Sequence, residues 1–153
     1  MSIKSREEKL ESFLKQHPLA SLATVSTTGR AHASSVFYFT DESFNSYFMT
    51  KDSTMKYKNI QKNNRVALVV SDQTSLQTVQ VEGVAKEVDH ADEIIAISEK
   101  LIEISEKSSR SWEALPITKI KRGAFAFFKI TPTSIRWIDF NKWNNNVQFE
   151  QYF

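Results

Sequence analysis

Leu10, Phe13 and Leu14 recur at i, i+3 and i+4 among charged positions, a spacing that predicts a short amphipathic helix over residues 5–17, stopped by Pro18. The chain then changes period. "ASLATVS" and "AHASSVFYF" are β-rich runs on either side of "TTGR", whose glycine marks a turn, and together they predict a hairpin. A second turn, "TDES", leads into "FNSYFMT", so the three runs form a meander. Helical spacing returns over residues 53–63, with Asp52 or Ser53 as the expected N-cap and Tyr57 and Ile60 as the buried contact. "RVALVVS" is a strand again.

Residues 76–88, "LQTVQVEGVAKEV", alternate apolar and polar positions, and Gly83 in their middle predicts a bulge or sharp bend in a long curved strand. In "HADEIIAISEKLIEISEK", Ile94, Ile97, Leu101 and Ile104 fall at helical spacing with charges opposite, which predicts a helix lying on the outside of the sheet. "GAFAFFKI" and "TSIRWID" read as two further strands separated by Thr131 and Pro132. Seven strand runs with three helices predict a mainly β chain of the α+β class, a small β-barrel with appended helices. No repeat, low-complexity tract or linker divides it, and 153 residues predict one domain spanning residues 1–153.

Composition narrows the function classes. Hydrophobic residues at 41% and charged residues at 25% are those of a globular domain, and a net charge of +2 does not by itself call for nucleic acid. Without cysteine there is no disulfide framework, thiolate metal site or cysteine nucleophile, which fits a reducing compartment, so a cytoplasmic location is expected. The first residues lack the apolar core of a signal peptide, and no run approaches the roughly 20 apolar residues of a membrane span. His17, His32 and His90 are scattered without zinc-ligand spacing, so no metal site is expected. Neither Ser34 nor Ser35 sits in a G-x-S-x-G elbow, and no side chain stands out as a general acid or base.

The concentrated chemistry lies in "YFMTKDSTMKYKNIQKNNRVALVV", where a strand end feeds a helix start. Free backbone N–H groups and the helix dipole favour an anion there, and Thr50 and Thr54 add hydroxyls while Lys51 and Lys56 add ammoniums. Such a cradle suits phosphate. It is no Walker loop, because the stretch contains no glycine. The plainer alternative is a capped, lysine-rich surface helix.

Thr50-x-x-x-Thr54-x-Lys56 followed by "NIQKNNRVALVV" resembles the T-x-x-x-S-x-K…N-L-x-x-N-P-x-V pattern of the pyridoxamine 5'-phosphate oxidase-like FMN-binding split barrels. "LKQHPLASLATVSTTGRAHASSVFYF" is similar to that family's opening hairpin, "VQVEGVAKEV" to its Q-V-x-V-x-G-x-A strand, and "FFKITPTSIRWID" to its closing strands. The resemblance implies a homodimeric split β-barrel of six or seven strands with flavin sites at the dimer interface. It implies that Thr50, Thr54 and Lys56 hold the FMN phosphate, with Lys51 contributing charge or backbone, and that Ser34, Ser35 and Val36 lie along the isoalloxazine ring. Thr78 stands where family members carry a flavin-reaching glutamine, and Gln80 is close by.

This chain departs from the pattern at Met55, where an arginine is frequent, and at Ser35 and Asn64, where prolines stand. "IRWIDFNKWNNNVQFEQYF" does not reproduce the segment with which true pyridoxamine phosphate oxidases handle pyridoxal phosphate. The expected activity is therefore an FMN-dependent oxidoreductase of another, unnamed small-molecule substrate. The alternatives are the same fold holding a deazaflavin or haem, or a non-catalytic dimeric binding protein. Aromatic strand residues such as Phe37, Phe39, Phe48, Phe125, Phe127 and Phe128 are expected in the core and dimer interface, and Trp112, Trp137 and Trp143 are expected at an interface, with covering a flavin from a partner chain as the alternative. The lysines cluster on one helix rather than among strand aromatics, which disfavours a single-stranded nucleic-acid barrel.

Overall fold

A computed structural model of the chain describes residues 2–108, 125–142 and 149–151. Helix α1 (Ile3–Gln16) is capped by Ser2, whose Oγ accepts from the Ser5 N–H at 3.3 Å, and Leu10, Phe13 and Leu14 are buried beneath it. Strands β1 (Leu19–Val25), β2 (Ala31–Thr40) and β3 (Ser46–Lys51) form the expected meander. Gly29, at φ 80°, occupies the left-handed turn between the first two. β3 begins two residues later than its pattern predicts. Phe44 sits at φ 60° in the turn, and the Asp41 carboxylate holds that turn by accepting from the backbone N–H groups of Ser43 and Asn45.

Helix α2 (Met55–Lys62) follows, then β4 (Arg65–Asp72), β5 (Gln77–Glu87), α3 (Ala91–Ser108), β6 (Phe125–Asp139), a 3-10 turn at Phe140–Lys142, and β7 (Phe149–Gln151). The antiparallel strand order is β3-β2-β1-β4-β5-β6-β7, and β3 also pairs with β6 from Ser46↔Ile130 to Lys51↔Phe125. That last pairing closes six strands into a barrel. β7 pairs with the C-terminal part of β6, beyond the segment that β3 uses.

The two expected strands around Thr131 and Pro132 are one strand. Glu82 pairs with Ser134 but Gly83 pairs with Pro132, so β6 advances two residues where β5 advances one, and Thr133 is the bulged extra residue. Proline lacks an N–H to contribute, which a bulge tolerates. Gly83 is required there by close approach: a Cβ would stand 2.5 Å from the Thr131 carbonyl oxygen. The predicted bend is thus where its glycine placed it. Residues 123 and 124 of the expected strand lie outside the described residues.

Successive side chains on a strand face opposite ways, so the paired phenylalanines of β6 serve two cores. Phe128 points inward and stacks on Phe48 at 5.3 Å, among Leu22, Tyr38, Leu68, Val79 and Ile135. Phe127 points outward into a second cluster with Tyr47, Ile97 and Leu101, packed by Phe39, Met49 and Phe125. Helix α3 therefore covers the outer face of β2, β3 and β6, as its stripe predicts, and buries Phe127 and Tyr47 there with Phe39 and Phe125 packed beside them. Its buried positions are Ile97, Leu101, Ile102 and Ser105. Trp137 packs on the main core, 5.3 Å from Phe13, while Trp112 and Trp143 lie outside the described residues. No described helix is long and apolar enough to cross a membrane.

Candidate functional site

The barrel is split between β2 and β3. Only Tyr38↔Phe48, Phe39↔Tyr47 and Thr40↔Ser46 join them, whereas β2 pairs with β1 all the way from Ala31 to Phe37. Beyond Tyr38 the second edge of β2 meets no described strand, which leaves backbone hydrogen-bonding groups facing the gap. Helix α2 bridges the opening. Its Ile60 and Tyr57 enter the main core, and buried Asn59 donates through Nδ2 to the Thr24 hydroxyl at 3.0 Å, tying the helix to β1.

The N-cap of α2 is Thr54, not Asp52 or Ser53. The chain first closes a turn in which the Thr54 N–H donates to the Lys51 carbonyl at 3.1 Å, so those two residues are spent before the helix begins. Thr54 Oγ1 donates to the same carbonyl at 2.8 Å and accepts from the Tyr57 N–H at 3.4 Å. It has one proton, so the 2.9 Å contact with Thr50 Oγ1 is donated by Thr50. Two hydroxyls thus stand together at the positive end of α2. Either proton can turn to an arriving anion oxygen at the cost of one internal bond.

Beside this pair is a cleft of about 170 Å³, lined by Ser35, Val36 and Phe37 of β2, Met49 of β3, Lys56 of α2, Leu101 and Ser105 of α3, and Phe125 of β6. Its lining is cationic at Lys56, polar at Ser35 and Ser105, and otherwise apolar. Lys51 is exposed at the end of β3 with its Nζ 6.0 Å from the centre of the Phe125 ring, so a second ammonium stands near the cleft wall. Among the described residues neither Lys51 nor Lys56 forms an ion pair with a carboxylate. Their charge is free to meet an anion. Ser34 is on the inward side of β2, where its Oγ is buried without a hydrogen-bond partner, as is Nδ1 of His32 two residues earlier. Buried polar atoms without partners are uncommon and ask for a ligand or water.

Thr78 and Gln80 lie elsewhere in this chain. Thr78 is buried and already satisfied, donating to the Val70 carbonyl at 3.2 Å and sharing a 3.0 Å bond with Ser71. Gln80 belongs to a lateral row on the outer sheet face, Ser35–Ser21–Val69–Gln80–Arg136. Of the predicted residues, Ser35, Val36 and Lys56 line one cleft, Thr50 and Thr54 are joined to each other at the start of α2, Lys51 reaches Phe125 of the cleft wall, and Thr78 and Gln80 line no part of that cleft. Sequence reasoning missed Phe37, Met49, Leu101, Ser105 and Phe125 as lining residues. A polar Ser105 on the apolar stripe of α3 was the one available signal.

A barrel split between its second and third strands, with a hydroxyl- and lysine-bearing strand-to-helix turn after the third, defines the split-barrel class of fold. The family model described as pyridoxamine 5'-phosphate oxidase matches residues 7–139, and the chain belongs to that family. No curated protein matches it. Similar solved structures include a protein related to general stress protein 26 of B. subtilis (pyridoxinephosphate oxidase family) from Clostridium acetobutylicum, at 12% identity and TM-score 0.72, covering 99% of this chain and 96% of that one. A heme binding protein from Mycobacterium smegmatis aligns at 17% identity and TM-score 0.73 over 99% of this chain and 57% of the other. An F420 reductase aligns at 23% identity and TM-score 0.63 over 82% and 94% respectively. At these identities the likeness is one of fold, and the fold is the split barrel.

Proposed function

We propose that the chain binds FMN at the split and acts as a flavin-dependent oxidoreductase. The observation that carries this reading is the Lys56 ammonium in the lining of a cleft at the open edge of β2, on the same first turn of α2 that the Thr50–Thr54 hydroxyl pair caps. The donor set fits the cofactor: a phosphate with nearly two negative charges takes charge-assisted bonds from Lys56 and Lys51 and from the two hydroxyls. Ser34, Ser35 and Val36 supply edge backbone groups that orient a planar ring, while Phe37, Met49 and Phe125 exclude water. FMN, when bound, supplies the hydride chemistry, and this chain supplies binding, orientation and access.

The same reading takes the protein as a homodimer paired through the outer sheet face. Leu19 and Val69 there are 52% and 38% exposed, among small residues such as Ser21 and Ala23. A two-fold pairing on that face carries Gln80 of each copy toward Ser35 of the other, since both belong to the row that crosses it. The substrate is a small molecule other than pyridoxamine phosphate.

A deazaflavin or haem in the same split is the second reading, favoured by neighbours described as an F420 reductase and a heme binding protein. Among the described lining residues Met49 is the one of a common axial-ligand type for haem, with no histidine, cysteine or tyrosine beside it, whereas Lys56 and the hydroxyls suit a phosphate, so FMN ranks above haem. The deciding experiment is the visible spectrum of the purified protein before and after FMN addition and desalting. Retained flavin bands support the reading, and Lys56→Ala should then weaken FMN by about 1.5–3 kcal/mol while sparing riboflavin. A protein that releases FMN completely on desalting is instead one that uses another ligand or a non-catalytic dimer.

A further inference from the structure

Helix α2 carries Lys56 and is capped by Thr54, and it meets the barrel through two kinds of contact. Ile60 and Tyr57 enter the main core, but apolar burial is non-directional and sets the rotation and axial position of a helix only loosely. Hydrogen bonds set them closely. Gln61 donates through Nε2 to the Glu87 carboxylate at 2.7 Å at the surface, where water competes for both groups. Asn59 donates through Nδ2 to the Thr24 hydroxyl at 3.0 Å with both residues buried, at 5% and 1% exposure. A buried amide that leaves its acceptor regains no bond from solvent, so this contact fixes the helix much as one buried asparagine fixes the register of paired helices.

Two placements connect that bond to the cleft. Thr24 is on β1, whose neighbour β2 supplies Ser35, Val36 and Phe37 to the lining. Lys56 lies three residues before Asn59, on the same face of the helix. Resting on the FMN reading above, we infer that Asn59 is a positioning residue: its bond to Thr24 sets the rotation of α2 over the β1–β2 hairpin, and so holds Lys56 and the Thr54 cap where the phosphate of a ligand lying along β2 arrives. Asn59 itself touches no ligand. Its effect falls on the phosphate end of FMN and spares the ring.

Replacing both partners by apolar groups of the same shape separates positioning from stability. Asn59→Leu alone leaves Thr24 without its partner and should lower the urea midpoint, and adding Thr24→Val should regain most of that loss. The double variant should nevertheless bind FMN about tenfold more weakly, part of what a charge-assisted phosphate contact is worth, with riboflavin affinity unchanged. A double variant that holds FMN as tightly as the unsubstituted protein overturns the inference, and so does an equal loss for riboflavin. Where that variant does not fold, Thr24→Ser against Thr24→Val gives the same reading from a position outside the cradle. Serine keeps the hydroxyl and should keep FMN affinity, valine should weaken FMN alone, and equal FMN affinity in the two overturns the inference. Flavin fluorescence of the unsubstituted protein separates the two claims. If FMN does not bind it, the FMN reading fails and takes the inference with it; if FMN binds it and the variants equally, only the inference fails.

Discussion

The hydroxyls of Thr50 and Thr54 stand 2.9 Å apart, joining the last inward position of β3 to the N-cap of α2. Stability and anion binding therefore share one oxygen. Thr54→Ala should cost about 1 kcal/mol, the usual worth of an N-cap, in urea unfolding, and should weaken FMN in the same protein. Thr54→Ser, which keeps the hydroxyl, should restore both. Loss of stability without loss of FMN affinity would separate the cap from the cradle.

Gly83 faces the Thr131 carbonyl with no room for a Cβ, and the nearest obstacle is backbone. Gly83→Ala should destabilise the fold by about 1–3 kcal/mol, as overpacking does, with the midpoint of denaturation as the readout. Gly29→Ala tests a different cause, since open space surrounds it and only its φ of 80° resists a side chain.

Burial pushes the Asp41 carboxyl up, but hydrogen bonds from the Asn45 side chain, the Tyr47 phenol and the Asn45 and Ser43 N–H groups outweigh it and hold its pKa below the ordinary carboxylate value. Its stabilisation is present above pH about 4, where the unfolded carboxyl is ionised, and is lost as pH falls through the folded value. Tyr47 moves the other way: burial first, then its bond to Asp41 and the charges of Asp41 and Glu93, push its phenol up to about 12. That contribution is intact below pH about 10 and fades as pH rises past it. Asp41→Asn should flatten the acid side of the stability profile and Tyr47→Phe the alkaline side, both measured by urea midpoint against pH.

If the outer face pairs two copies, a charge at its centre should split them. Val69→Asp is expected to halve the mass seen by sedimentation at micromolar concentration while leaving the circular dichroism spectrum unchanged. A monomeric unsubstituted protein, or a variant of unchanged mass, contradicts that pairing.

The local elements were legible in the chain because periodicity and turn chemistry act over a few residues. The stripe of α1, the meander, the bend at Gly83 and the grouping of Thr50, Thr54 and Lys56 all follow from neighbours in sequence. The same locality explains the errors. Asp52 and Ser53 are good caps by type, but the turn closed by Lys51 uses them before the helix begins. Thr131-Pro132 reads as a break until Gly83, on another strand, admits the bulge that lets β6 run through. Only tertiary structure decided that β3 and β6 close the barrel, that β2 and β3 part beyond Tyr38, and that Leu101, Ser105 and Phe125 meet Lys56 around one cleft. Those contacts join distant segments, and what selects them is the burial of both faces of β6, one by the barrel and one by α3, a requirement that no single stretch of sequence expresses.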